Sequence, residues 1–509
     1  MNNSNGIKNA GYGLLAQFLT IGIGILIPRL VLVNLGSESN GLLSSVGNVL
    51  TYMSLLEAGV GTATLQALYK PCATNDHDSV NSIMAATDFF YRRTGKVYLV
   101  IVLVITIVYT LAVKTELPRT VVFAVVLLSG LTGVISYFFQ GKLKILLSAE
   151  GKAYINTNIV TAVQIAASII KAILLYTGFG VVAVQISGFA FNLIQMLFYI
   201  VYIRHHYPWL NVKVKPDFDA ISQRNAVLVH QVADLIFRNT DVLLLSAFVG
   251  LKEVSVYSMY AMIYGMVKAL AVVIYESYTY ALGQSYYTNK HRFMKLFDAY
   301  EVFSIMVTFS LYCICSIIIN PFLTLYTEGV NDIKYIDPYL PWLFALFYLL
   351  HNGRTSSATL INIAQQFENT KWRSIFESII NLTVSIICVN KFGIYGVLMG
   401  TIAALLYRTN DMIIYASHIL ERSCWITYKR WLLNVAVFFG LSFTINRFTI
   451  TVGNYIQLVF SALTVSLVVC TVFIVVNYIV ERESVMLVFN FGKRVIGSFI
   501  YRFGKCSNK

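Results

Sequence analysis

Apolar stretches of lipid-spanning length follow one another from the first residues to about residue 480, separated by short polar turns. A hydrocarbon core of ~30 Å needs about 20 apolar residues in a helix. The chain offers fourteen such windows, at 9–33, 41–67, 97–114, 120–140, 153–176, 180–203, 227–249, 254–283, 299–320, 339–363, 373–390, 394–419, 431–446 and 453–480. The pattern predicts an all-α polytopic membrane protein with almost no room for a soluble domain. An even number of crossings places both termini on one side.

The polar segments between the windows are unequal. The longest outer turn, about 321–338, is too short for a catalytic domain. The inner segments are longer, and two of them, 78–95 and 204–226, look amphipathic. The second carries Pro208 and Pro216 and reads as a linker between halves. The tail 485–505 spaces Phe489, Phe491, Ile496, Phe499 and Phe503 among basic residues, which suits either an interfacial helix or a disordered basic tail.

Composition agrees with the pattern. The chain is 57% hydrophobic and 12% charged, where soluble domains carry about a quarter charged residues. A net charge of +14 raises the question of nucleic acid, but no nucleic-acid fold signature is present and the basic residues cluster in loops beside spans. With the N-terminus inside, the inner segments carry 26 Lys and Arg and the outer loops 6. That bias predicts cytoplasmic termini, with the first span retained as an anchor. None of the seven cysteines falls in an outer loop or in a metal-type pattern with histidine, so neither a disulfide nor a metal site is expected.

A weak internal repeat divides the chain. Leu35-Gly36 and Gly41-Leu42 follow the first span, and Val249-Gly250 through Tyr257 follows the seventh. Six spans separate the copies, so both point the same way across the membrane. Parallel repeats build two-lobed transporters with a midplane site. The expected division is an N-terminal lobe at 1–205, a C-terminal lobe at 206–420, and two extra helices with a basic cytoplasmic tail at 421–509.

The chemistry lies in charges placed within the spans, which are costly and therefore candidate functional groups. The basic ones are Arg29, Lys171, Arg238, Lys268, Arg354 and Arg408, and the acids are Glu57, Asp234, Asp241, Glu276 and Asp411. Arg354 and Lys268 sit near mid-membrane with no acid within one turn, and His351 lies one turn from Arg354. Arg408 and Asp411 are three residues apart, close enough to neutralise each other. Arg238 lies between Asp234 and Asp241, beside His230, where a structural ion pair is an equal reading. Arg29 and Lys171 lie nearer the outer ends, where snorkelling is the alternative. Glu276 reads as interfacial. The tyrosines around span eight, Tyr257, Tyr260, Tyr264, Tyr275, Tyr278 and Tyr280, are expected to pack rather than to stack on sugar rings. An excess of buried cations favours an anionic cargo such as a phosphate or diphosphate, because arginine binds phosphate oxygens in a planar fork. A cavity for organic cations would instead be rich in carboxylates and aromatics.

Arg29, Leu35-Gly36, Gly41-Leu42, Glu57-Ala58-Gly59-Val60-Gly61-Thr62-Ala63 and Leu68-Tyr69-Lys70-Pro71, with Asp241 to Ser246 and Val256-Tyr257-Ser258, carry a resemblance. The chain resembles the polysaccharide or oligosaccharide flippases, the Wzx-like branch of the multidrug/oligosaccharidyl-lipid/polysaccharide (MOP) exporter superfamily. The resemblance implies two six-helix lobes plus two helices. It also implies movement of undecaprenyl-diphosphate-linked oligosaccharides across the bacterial inner membrane by alternating access, driven by an ion gradient of H+ or Na+ with no other cofactor. Partners would be membrane lipids, the lipid-linked cargo, and a polysaccharide polymerase with glycosyltransferases. Charge and depth, rather than the resemblance, single out Glu57 and Asp241 for ion coupling. A lipid II-type flippase shares the cationic cavity, and a drug/ion antiporter of the same superfamily would show buried acids without excess bases. A membrane polymerase or glycosyltransferase needs larger loops than these, and Asp217 and Asp219 stand as a lone D-x-D, so no enzyme activity is expected.

Overall fold

A computed structural model describes residues 3–53, 60–221, 239–364, 366–447 and 452–489. Glu57, His230, Asp234, Arg238 and most of the basic tail therefore lie outside the described residues, as do the side chains of Glu276, Tyr278 and Tyr280. All regular structure among the described residues is helical. In chain order the helices are α1 (Asn3–Met53), α2 (Val60–Thr74), α3 (His77–Ala112), α4 (Arg119–Ile135), α5 (Gly141–Ala149), α6 (Ala153–Tyr176) and α7 (Val181–His206). After α8 (239–248) come α9 (Leu251–Thr288), α10 (Lys290–Tyr326), α11 (Leu340–Gly353), α12 (Thr355–Ile363), α13 (Phe367–Phe392), α14 (Ile394–Ile419), α15 (Trp425–Asn446), α16 (Tyr455–Val480) and the short α17 (482–489). Ten helical stretches among the described residues are long and apolar enough to cross a membrane. This is a multi-pass helical membrane protein.

The chain forms two compact units. The first holds residues 1–258 with 329–333 and 389–394. The second holds 259–328, 334–388 and 395–509.

In the first unit, the polar turn expected over 35–41 shrinks to one residue. Helical hydrogen bonding resumes at once on either side of Gly36, whose φ of 79° and ψ of 176° make the only non-helical step inside α1. Such a φ suits glycine because it carries no Cβ. The N–H and hydroxyl of Ser37, freed by the break, both donate to the Asp332 carboxylate, at 2.8 and 2.6 Å. The second copy of the repeat also turns at a positive-φ glycine, Gly250, and the two copies touch. A Cβ at Gly41 would come within 1.8 Å of the Leu251 carbonyl oxygen, and the buried Asn40 amide donates to Ser255 Oγ at 2.7 Å.

The amphipathic inner segment 78–95 is not separate from the third span. It forms the first half of α3, capped by Asp76, which accepts from Ser79 N at 3.1 Å. The linker after α7 packs on that half. Asn81 accepts from Asn211 N and donates to the Trp209 carbonyl, and Asp217 N donates to the Ser82 carbonyl. Phe218 meets Phe89 and Phe90 edge to face, and Ile221 is fully buried. These contacts satisfy backbone groups that a loop would otherwise leave to water.

The second unit is built around α10. Of its most apolar window 72% is buried, against 17% in α16. A helix that is apolar all round belongs in the interior. Tyr264 is fully buried between Phe344, Tyr348 and Tyr312 and donates to the Pro341 carbonyl at 2.7 Å. Tyr260 donates to the Tyr335 carbonyl, and Tyr275 shares a hydrogen bond with Thr308. These tyrosines pack, each with its hydroxyl satisfied.

At one end of this unit, Asp337 accepts from the N–H groups of Tyr339 and Leu340, where α11 begins, and from the Tyr395 hydroxyl. Partial burial pushes its carboxyl up, but the Tyr395 hydroxyl, the two backbone donors and Lys334 outweigh it, so the group sits below the ordinary carboxylate value. A depressed folded-state value means that its stabilisation is complete at neutral pH and is lost as the pH falls through that value. Asp337→Asn is expected to cost about 1 kcal/mol, the scale of a lost helix cap. The cost should vanish in acid, and thermal melts across pH 2–7 would show it, an unchanged difference at every pH being the contrary result.

Candidate anion-binding site

Arg354 stands at a break. Its φ of −81° and ψ of 0° separate α11 from α12, so the residue closes one helix and opens the next. Gly353 just before it packs against the Trp431 ring, where an added Cβ would come within 2.4 Å. Asn352 donates to the buried Tyr312 hydroxyl. The residues just before the break are therefore held by packing and a hydrogen bond, with Arg354 left to face α13.

There it meets Glu377. Arg354 Nη1 donates to Glu377 Oε1 at 2.8 Å. The second carboxylate oxygen, Oε2, lies 3.5 Å from Arg408 Nε. Arg408 is held further by Asp411 at 2.6 Å and by Ser374 Oγ at 3.0 Å. Asp411 in turn receives a bond from Arg373, whose guanidinium lies 4.7 Å over the Tyr415 ring. Charges alternate along the row Arg354, Glu377, Arg408, Asp411, Arg373, with three guanidiniums to two carboxylates. Side-chain exposure falls from 37% at Arg373 to 3% at Arg408 and stands at 11% at Arg354. A buried row of this kind persists only because each charge has an opposite neighbour.

The expected same-helix pairing of Arg408 with Asp411 forms. Arg354, which has no acid within a turn, finds its partner on another helix. Glu377 belongs to neither set of intramembrane charges read from the sequence. A local signal for it does exist: it lies four residues after Arg373, on the same face of α13.

The other candidates are placed elsewhere. Lys268 on α9 lies 2.9 Å from His351 Nε2. His351 thus serves Lys268 rather than Arg354. In the first unit Arg29 is half-buried in α1, about 10 Å of helix before the Gly36 break. Lys171 on α6 is half-buried with its ammonium against Gly188 of α7, and makes no hydrogen bond or ion pair to the described residues. Asp241 is 3% exposed and accepts from the Tyr257 hydroxyl at 2.8 Å. Arg354 and Arg408 are brought together by Glu377. Lys268 joins the same unit, while Arg29, Lys171 and Asp241 belong to the other.

A second charged cluster ties down the last helices. Glu301 on α10, 1% exposed, accepts from Thr427 at 2.9 Å, from Arg422 at 2.7 Å and from Arg430. Arg422 and Arg430 also share Asp298, and Arg430 reaches Glu481 at 3.0 Å. This cluster joins α10, α15 and the end of α16.

No family model and no curated protein matches the sequence. Solved structures do match the fold. A lipid II flippase, MurJ, in an inward closed conformation aligns with a TM-score of 0.69 at 12% identity, over 91% of this chain and 98% of that one. An inward-facing multidrug resistance MATE family transporter of the MOP superfamily aligns at 0.65 and 14% identity, over 79% and 94%. A MOP superfamily transporter from Pyrococcus furiosus, described as having a binding pocket of reverse polarity that suggests a different function, aligns at 0.54 and 14% identity, over 82% and 96%. Near-complete coverage of each makes the likeness one of whole fold rather than of a shared motif, and the chain has the fold of the MOP superfamily transporters.

Proposed function

We propose that this protein is a flippase that moves undecaprenyl-diphosphate-linked oligosaccharide repeat units across the bacterial inner membrane by alternating access, for surface polysaccharide such as O-antigen or capsule. The observation that carries the reading is the row of three guanidiniums against two carboxylates, inside a fold shared with transporters. The row carries one more guanidinium than carboxylate, the extra charge resting on the partly exposed Arg373, and a net positive row suits a diphosphate, which lipid cannot solvate. Arg354 and Arg408 are the leading ligands, with Lys268, Arg238, Arg29 and Lys171 as further cationic positions. One structural neighbour is described as having a binding pocket whose reverse polarity suggests a different function, and a drug/cation antiporter would be expected to show buried acids in excess. In this reading both termini are cytoplasmic, the cargo arrives from membrane glycosyltransferases, and a polymerase consumes it outside.

Deleting the gene and analysing lipid-linked glycans is the test. An undecaprenyl-diphosphate oligosaccharide should accumulate on the cytoplasmic face. Accumulation of lipid II would move the protein to the lipid II reading, which the same cationic row and the likeness to MurJ favour. No change in any lipid-linked glycan would end both.

Ion coupling is assigned to Glu57 and Asp241, Asp241 because a buried carboxylate held by a tyrosine hydroxyl can exchange a proton or Na+. Glu57→Gln and Asp241→Asn are expected to uncouple flipping in vesicles from the imposed H+ or Na+ gradient. Unaltered gradient dependence in both would remove this role.

A further inference from the structure

Glu377 holds its two arginine partners lightly, by one hydrogen bond from Arg354 and a 3.5 Å approach to Arg408. Arg408 is fixed without it, since Asp411 and Ser374 hold two of its nitrogens. Its buried Nε, the atom nearest Glu377, makes no hydrogen bond among the described residues. Arg354 gives Glu377 a single hydrogen bond from Nη1, and its Nε and Nη2 bond to none of the described residues. The carboxylate therefore bridges two guanidiniums, each only partly used. That is the place a phosphate would take, because carboxylate and phosphate oxygens compete for the same planar donors. The charges argue likewise. Three guanidiniums balance two carboxylates with one positive charge to spare, so a doubly charged diphosphate added on top would leave the row net negative. Withdrawal of Glu377 from Arg354 relieves that excess where the phosphate binds.

We propose that Glu377 is a resident counter-anion that the cargo's diphosphate displaces from Arg354, a competitor that weakens head-group binding so that the cargo can leave. This rests on the lipid-diphosphate reading above. Arg408 is the fixed anchor and Arg354 the exchangeable arm. An ion pair that only supports the fold would leave anion affinity to Arg354 alone, and its loss would weaken binding or the fold. A competitor has the opposite signature: its removal tightens binding.

The experiment uses the full chain in lipid nanodiscs, with inorganic pyrophosphate and a short-chain prenyl diphosphate as probes in calorimetric titrations. Glu377→Gln is expected to bind both about tenfold tighter than wild type, and to flip the lipid-linked cargo more slowly because release is delayed. Arg354→Gln combined with Glu377→Gln should lose the gain. Glu377→Asp keeps the charge that a structural pair needs but shortens the reach to Arg354, so it should fall between wild type and Glu377→Gln, and it decides the matter if the glutamine variant does not fold. Unchanged or weaker binding in the folded variants would overturn the inference, as would a gain that survives loss of Arg354. Binding of neither probe by the wild type would overturn the lipid-diphosphate reading itself, a different result from binding that ignores Glu377.

Discussion

Arg354→Ala is expected to cut export of the lipid-linked glycan about 100-fold while the protein still reaches the membrane at its normal level. The size follows from what is removed: hydrogen bonds to a charged phosphate contribute about 1.5–3 kcal/mol each, and about 3 kcal/mol is a factor of 100. On the folding side, Glu377 loses its hydrogen bond from Arg354 and keeps the charge of Arg408, whose Nε lies 3.5 Å away without a hydrogen bond. Arg354→Lys supplies a point charge without the fork and should fall in between. Glycan display and accumulation of the lipid-linked precursor give the readout, with protein level by immunoblot. Wild-type display in the alanine variant would remove Arg354 from the binding site.

Glu301→Ala is expected to destabilise the second unit by about 3–5 kcal/mol, the cost of breaking a buried charge network from one side. Its carboxylate is 1% exposed and satisfies Thr427, Arg422 and Arg430 together. Without it the carboxylate partners left to two nearly buried guanidiniums are Asp298, which is 33% exposed, and, for Arg430, Glu481. The loss should appear as a lower melting temperature of the detergent-purified protein and as early proteolysis near α15 and α16, which the cluster pins to α10. Glu301→Gln keeps an acceptor for Thr427 and should lose less. A melting temperature equal to wild type in the alanine variant would show that apolar packing of α15 and α16 suffices.

The helices were legible because the signal for them is local. Spans expected at 153–176 and 394–419 form as Ala153–Tyr176 and Ile394–Ile419, since a hydrophobic run of bilayer length must close its own backbone hydrogen bonds. The pairing of Arg408 with Asp411 was legible for the same reason, being set by spacing on one helix. Where a feature depended on a distant segment, the pattern stopped short. The polar run Leu35–Gly41 reads as a turn, yet Asp332 and the second repeat satisfy it so well that only Gly36 leaves the helix. The segment 204–226 reads as a linker between halves, yet α3 offers its described part, up to residue 221, hydrogen bonds and an aromatic face.

The candidate site divides along the same line. Length, hydropathy and the placement of Lys and Arg determined by themselves that this is a polytopic membrane protein with cations deep in its spans, because the depth of a charge is set by where it lies along a helix. Which acid answers Arg354 was decided by tertiary structure alone. Arg354 and Glu377 are 23 residues apart and meet where α11 ends at Arg354 and its side chain reaches α13. Ion pairing falls off within a few ångströms in any medium that screens it, so the partner of a charge is a property of the packed helices and not of the residues that flank it.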